Sequence, residues 1–336
     1  AAIVATPEGW SREVWASFAE MGLTMLPFAE DVGGLGLGGV ETMLVGEAFG
    51  RGLVVEPYLA SVVLAGTAIA RGGTAEQVER WLPGVMGGET IAALADQATI
   101  SARREDGGWR LYGDARTVLS GDVADILLVP ADDALFVIPA DAAGLSRRGY
   151  RLHGGGGAAD LALAGVFVGD EARLAGAGAL TRAVEAGLGY LAAEACGAMQ
   201  AALDMTVEYL KTREQFGKPI GTNQALQHRA AEMLVEVEQA RSAAIYAALL
   251  ADEPDAGERA RGLAAVKAVI GKTGRYVAQN AVQLHGGIGV SEEHAVSHYF
   301  RRLTAIGLLL GDTESQIERV AALGGFTGAE PHFATA

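Results

Sequence analysis

Thr212-Arg213-Glu214-Gln215-Phe216-Gly217-Lys218-Pro219-Ile220 is the stretch on which the reading of this chain turns. It sets a guanidinium that can fork onto a diphosphate beside an apolar ring, then ends one helix in a Gly-Lys-Pro turn before the next begins. Further along, Gln283-Leu284-His285-Gly286-Gly287-Ile288-Gly289 offers an amide side chain and a glycine pair whose backbone can approach a ligand with no Cβ in the way. Together the two stretches form a candidate grip for a dinucleotide cofactor.

The rest of the chain bounds what such a grip can serve. With 336 residues, 50% of them hydrophobic, and roughly 150 residues per domain, two or three cores are expected. No apolar run reaches the roughly 20 residues of a membrane span, and no basic segment before an apolar stretch marks a signal peptide. A soluble protein is expected. The net charge of −15 and the pI near 4.9 argue against nucleic acid and anionic membrane surfaces as partners. An anionic cofactor must then be held by local charge, for which Arg213 with Lys218 and the pair Arg301-Arg302 are the candidates. The one cysteine, Cys196, lies in a small-residue apolar run and reads as a buried hydrophobe rather than a catalytic thiol. A reducing compartment, the cytoplasm, is expected.

Periodicity divides the chain into three regions and a tail. Val14, Trp15, Phe18 and Met21, then Val40, Met43, Leu44 and Ala48, recur at helical spacing and predict a helical region over 1–90. Short runs such as Trp109–Gly113, Ala124–Pro130, Ala134–Pro139 and Leu161–Val168, with Gly and Asp turns between them, predict a small β-domain over 91–175. Leu226, Ala230, Met233, Val237, Ala240 and Ala244 then form one face of a helix within a helical bundle over 176–326, followed by a tail at 327–336.

Three other patterns carry less. Gly34-Leu35-Gly36-Leu37-Gly38-Gly39 has the letters of a dinucleotide fingerprint but Pro27 and Glu30-Asp31 where its strand should be, so a loop between helices is expected. His294 and His298, four apart, could share a metal but lack further ligands, so an ordinary interfacial pair and no metal site are expected. No Gly-x-Ser-x-Gly elbow occurs, which removes the simplest serine-hydrolase reading.

The order Arg213-x-Gln-Phe-Gly-x-Pro-Ile220, then Gln283–Gly289, resembles the acyl-CoA dehydrogenase family. Leu26–Gly36 and Trp81–Glu89 resemble that family's N-terminal signature and domain boundary, so the likeness covers nearly the whole chain. It implies an α+β multidomain fold with a helical N-terminal domain, a central β-barrel domain and a C-terminal four-helix bundle. It also implies FAD, held by Arg213, Gln215, Phe216, Ile220, Asn223 and Leu226 from one segment and Gln283, Gly286 and Gly287 from the other, with Gln316 added near the C-terminus. In the family this grip spans a subunit interface, which implies a homo- or hetero-oligomer, an acyl-CoA substrate, and an electron-transferring flavoprotein as the acceptor of electrons.

The implied reaction is α,β-desaturation of an acyl-CoA thioester, which needs one carboxylate base. Anchoring on Ser315-Gln316-Ile317 sets Asp312 in the base position, where the family has glutamate. The preceding Leu308-Leu309-Leu310 predicts an apolar wall that would raise the Asp312 pKa toward that of a working base, while an N-cap is the alternative role. Glu185 and Glu194 are the next candidates. This aspartate and His298–Thr304 resemble the small subunits of bacterial pimeloyl-CoA-type dehydrogenases, which often pair with a second, similar chain. Gly311 stands where catalytic members commonly carry an aromatic residue, which opens either room for a bulky or ring-bearing acyl group or an unusual backbone angle.

Two departures touch the flavin-ring half of the site. Thr117-Val118-Leu119 replaces the family's Trp-x-Thr, and Asp96–Ile100 follows Ala95 where a Glu-Pro-x-x-Gly-Ser-Asp loop belongs, whether deleted or absent from the sequence. With the shorter base they leave open a partner subunit with little activity alone; a flavin oxidase on the same fold, using an aspartate base, is the other alternative.

Overall fold

The first helices form where apolar residues recur at helical spacing behind a residue that can accept from the backbone. In the computed structural model, which describes residue 6, residues 9–174, residue 176 and residues 178–325, Ser11 caps α1 (Arg12–Glu20) by accepting from the Val14 N–H at 3.3 Å. Trp15 and Phe18 are its buried face. α2 (Gly39–Gly52) follows, then a buried π-helical segment Tyr58–Gly66 that continues into α3 (Thr67–Gly72). A Thr74–Gln77 capping box starts α4 (Ala75–Met86). Among the described residues a 3-10 turn, and no strand, precedes Gly34–Gly39, so that run is the expected loop between helices.

Alternation takes over with β1 (Ala92–Leu94), β2 (Ala98–Glu105), β3 (Gly108–Leu119), β4 (Ile126–Ala131), β5 (Ala134–Pro139), β6 (Leu145–Arg151), β7 (Gly157–Gly169) and β8 (Arg173–Leu174). They form two four-stranded sheets, ordered β1-β4-β5-β8 and β2-β3-β7-β6. The expected barrel is not closed. β1 pairs in parallel with β4 over three residues, and β2 pairs antiparallel with β3, so among the described residues no ladder joins one sheet to the other. The sheets meet face to face instead, with Trp109 of β3 edge-on to Phe136 of β5 at 5.6 Å between ring centroids.

The last region is helical: α5 (Ala179–Thr212), a small hairpin of β9 (Glu214–Gln215) and β10 (Lys218–Pro219), α6 (Gln224–Leu250), α7 (Ala256–His285), α8 (Ala295–Leu308) and α9 (Thr313–Ala322). Met233, Val237, Ala240 and Ala244 of α6 are buried, as their spacing predicts. By contacts the chain forms two compact units, one gathering the described residues up to Leu37 with Val55–Gly187, the other Gly38–Val54 with the described residues from Leu188 on. α2 thus groups with the bundle helices, and glycine explains how. A Cβ on Gly50 would stand 1.8 Å from the Glu194 carbonyl oxygen, and one on Gly197 would stand 1.9 Å from that of Glu47, so only bare backbone lets α2 and α5 touch. No helix among the described residues is long and apolar enough to cross a membrane.

Candidate active site

The two motif stretches meet through rings. Tyr209, in the last turn of α5, stacks on His285, the last residue of α7, with centroids 4.5 Å apart, and His294 closes on His285 at 4.7 Å. His285 is buried; its Nδ1 lies 2.8 Å from the Ala281 carbonyl and is therefore the protonated nitrogen. Burial pushes its pKa down, which keeps the ring neutral. Arg213 stands one helical turn beyond Tyr209, and His285 sits between Gln283 and Gly286, so the stack brings both stretches to one end of the bundle.

The hairpin after α5 is built on two left-handed residues, Phe216 (φ 53°) and Gly217 (φ 75°), the requirement of a type I′ turn. The Ile220 N–H donates to the Arg213 carbonyl at 2.8 Å and closes it. Phe216 projects fully exposed, Gln215 donates to its neighbour Glu214, and Ile220 and Leu226 are half-buried. Asn223 begins α6 by donating to the Ile220 carbonyl at 2.8 Å, leaving the helix start without a side-chain cap.

These residues fit an anionic diphosphate. Arg213 and Lys218 are exposed and among the described residues pair with no carboxylate. The uncapped N–H groups of α6 lie just beyond them. Gln283 is exposed, and a Cβ at Gly286 or Gly287 would meet nothing within 4 Å, so their backbone faces open space. Arg301 and Arg302 do not add to this field. Arg302 is half-buried and forks onto buried Glu194 at 2.5 and 2.9 Å, while Arg301 holds Glu292 at 2.7 Å. Glu194, engaged in this way, is equally spent as an alternative base.

Asp312 is the N-cap of α9, its Oδ1 accepting from the Ser315 N–H at 2.9 Å. Its carboxyl is held below the ordinary aspartate range, first by that N–H, then by the Ser315 hydroxyl, with Lys267 adding its charge. This reverses the expected rise. The apolar wall does not form because Leu308 is 63% exposed and Leu310 turns into the core, leaving the carboxylate in solvent. The turn that presents Asp312 has two left-handed residues, Leu310 (φ 56°) and Gly311 (φ 100°). Buried Gln316 donates to the Leu310 carbonyl at 2.8 Å, and a Cβ on Gly311 would stand 2.5 Å from its Nε2. The backbone-angle reading of Gly311 is the one this geometry supports.

In the sheet unit, Thr117 stands at a bulge between β3 and β7 in left-handed backbone (φ 53°), its N–H donating to Asp160 at 3.1 Å. Tyr150 donates to the same carboxylate at 2.9 Å and Arg148 at 2.8 Å, which hold the Asp160 pKa down to about 2. With Arg116 and Gly149 they line a shallow cavity of about 390 Å³. A polar latch is built around Thr117, at the stretch that replaces the family's Trp-x-Thr.

Other side chains behave as their surroundings dictate. Cys196 is buried, and desolvation pushes its thiol up to about 11. His294 accepts from the Val296 N–H, whereas His298 meets Arg301, so the two rings turn to different partners. One residue escaped the sequence reading: Lys267, fully buried on α7 with its ammonium against the Asp312 turn. Its signal is a lysine inside the stripe Leu263, Lys267, Ile270, Gly274, at helical spacing.

Residues 2–89 match the family description "Acyl-CoA dehydrogenase, N-terminal domain", and residues 175–324 match "Acyl-CoA dehydrogenase, C-terminal domain". Acyl-CoA dehydrogenase FadE27 of Mycobacterium tuberculosis is 31% identical over 93% of this chain and 87% of its own length. The solved ChsE4-ChsE5 complex from Mycobacterium tuberculosis matches with a TM-score of 0.89 at 29% identity, over 96% of this chain and 91% of that one. The Tcur3481-Tcur3483 steroid ACAD G363A variant matches with a TM-score of 0.88 at 31% identity, over the same shares.

Proposed function

The chain belongs to the acyl-CoA dehydrogenase family, and on that premise we propose that Asp312 is the base of a FAD-dependent α,β-desaturation of an acyl-CoA thioester. The observation that carries the cofactor half is the Tyr209–His285 stack, which sets Arg213 and Gln283–Gly287 at one end of the bundle. Arg213 would hold the diphosphate with Lys218 adding charge, and Gln283 with the open backbone of Gly286 and Gly287 would complete the grip. Gln215, Phe216, Ile220, Asn223 and Leu226 would line the adenosine part, and Gln316 stands beside the base. FAD, when bound, supplies the acceptor for the hydride that leaves the β-carbon. Asp312 would take the α-proton, and the electron pair of that C–H bond would become the α,β double bond as the β-hydride departs; an electron-transferring flavoprotein is the acceptor proposed downstream.

The solvent-facing setting of Asp312 suits a base that stays ionised at neutral pH and is desolvated by the arriving thioester. We place a bulky, ring-bearing acyl group first among substrates, because the 31% identical solved relative is a steroid ACAD. The buried thiol of Cys196 suits the cytoplasm. Bleaching of the bound flavin by a panel of acyl-CoA thioesters, read anaerobically, tests this reading; no bleaching by any thioester would sink it.

The Thr117 latch favours a second arrangement, in which this chain works as one half of a heteromer, as the ChsE4-ChsE5 complex does. Purified alone, such a chain would hold little FAD, and co-expression with a homologous chain would restore the flavin spectrum.

A further inference from the structure

We propose that Lys267 is the positioning residue of the base: from inside α7 it pins the turn that carries Asp312 and sets a positive charge behind the carboxylate. The proposal rests on Asp312 being the base.

Lys267 is fully buried, with a relative exposure of 0%. Its Nζ donates to the Gly311 carbonyl at 2.6 Å and to the Gly307 carbonyl at 3.3 Å. These two acceptors bracket Leu308–Leu310, so a single ammonium ties both ends of the turn between α8 and α9. The turn needs tying, because Leu310 and Gly311 are both left-handed, and Leu310 pays a steric penalty there that glycine avoids. Gln316 holds the middle through the Leu310 carbonyl.

Packing alone does not call for a lysine in this stripe. A methionine or leucine would fill the space between Leu263 and Ile270 without the cost of desolvating an ammonium. Burial indeed pushes the Lys267 pKa down to about 8, and Asp312 is the charge that pulls it back up. The effect is mutual, since Lys267 is the charge acting on Asp312 beyond its hydrogen bonds to Ser315. Each is thus the charge that shifts the other. The bland alternative is that Lys267 only satisfies the last carbonyls of α8, which a charge at a helix C-terminus does anywhere. What that alternative does not use is the link to Gly311, the residue before the base. Through it the ammonium fixes where the carboxylate stands and keeps it ionised until substrate arrives.

Two variants separate the roles. Lys267→Met removes charge and donor at similar length; Lys267→Gln keeps a donor and removes the charge. Each is prepared with FAD and without substrate, and two quantities are read: amide hydrogen exchange over residues 308–312, and the Asp312 carboxyl titration by carbon NMR, assigned by its loss in Asp312→Asn. Exchange over the turn should rise about tenfold or more in Lys267→Met and less in Lys267→Gln, and Asp312 should titrate at higher pH in both. Flavin reduction by substrate should fall about tenfold in Lys267→Met at unchanged FAD content. An Asp312 titration and a turn exchange unchanged in both variants would overturn the proposal, as would protection lost along all of α7 rather than at the turn. Should Lys267→Met not fold, the Asp312 titration in Lys267→Gln decides. Failure of the base itself shows elsewhere: Asp312→Asn that reduces flavin at the wild-type rate removes the catalytic role from both residues, whatever the turn does.

Discussion

Tyr209 and His285 lie with their ring planes 24° apart and their centroids at 4.5 Å, locking the last turn of α5 to the last residue of α7. An aromatic pair adds about 0.5 to 1.5 kcal/mol beyond its buried area. Tyr209→Ala should therefore lower both the melting temperature and FAD affinity, and Tyr209→Phe should keep both. Equal FAD affinity in Tyr209→Ala would show that the stack does not align the grip.

The same histidine gives a pH dependence. Burial lowers the His285 pKa in the fold, whereas the unfolded residue titrates near about 6.5. The unfolded state thus binds more protons below that point, so stability is fully present above about pH 6.5 and is lost as pH falls through the folded value. His285→Phe keeps a ring and removes the titration. Its melting temperature should vary less with acidification than that of the wild type, measured from pH 7 downward.

Arg213→Ala should weaken FAD retention by about ten- to a hundredfold, the loss of a charge-assisted contact worth about 1.5 to 3 kcal/mol. Flavin content after gel filtration and dilution measures it. Wild-type retention would move the diphosphate elsewhere.

Gly311 has φ 100°, and a Cβ there would crowd Gln316 at 2.5 Å. Gly311→Ala should destabilise by about 1 to 3 kcal/mol and slow every thioester alike. Selective loss of bulky substrates at an unchanged melting temperature would instead restore Gly311 as a determinant of pocket volume.

Much of this was legible in the sequence, for physical reasons. Helical spacing marks the two helical regions, and the motif stretches mark the family, whose N- and C-terminal domains match residues 2–89 and 175–324. The barrel was not legible: closure depends on which edges pair, and the parallel pairing of β1 with β4 is a long-range choice that alternation cannot encode. The pKa of Asp312 was misjudged because three leucines in a row do not say which of them faces the carboxylate; Leu308 faces solvent. The Glu194–Arg302 pair was invisible because its partners lie far apart in sequence and meet only through the packing of α5 and α8.

The central claim is that Asp312 is the base, and Asp312→Asn tests it most directly. Asparagine caps a helix as well as aspartate does, so fold and FAD content should survive while the proton acceptor is gone. In anaerobic single-turnover mixing with an acyl-CoA that bleaches the wild-type flavin, the variant should keep its oxidised flavin spectrum, with reduction slowed by about a thousandfold or more. Reduction of the Asp312→Asn flavin at the wild-type rate would contradict the account.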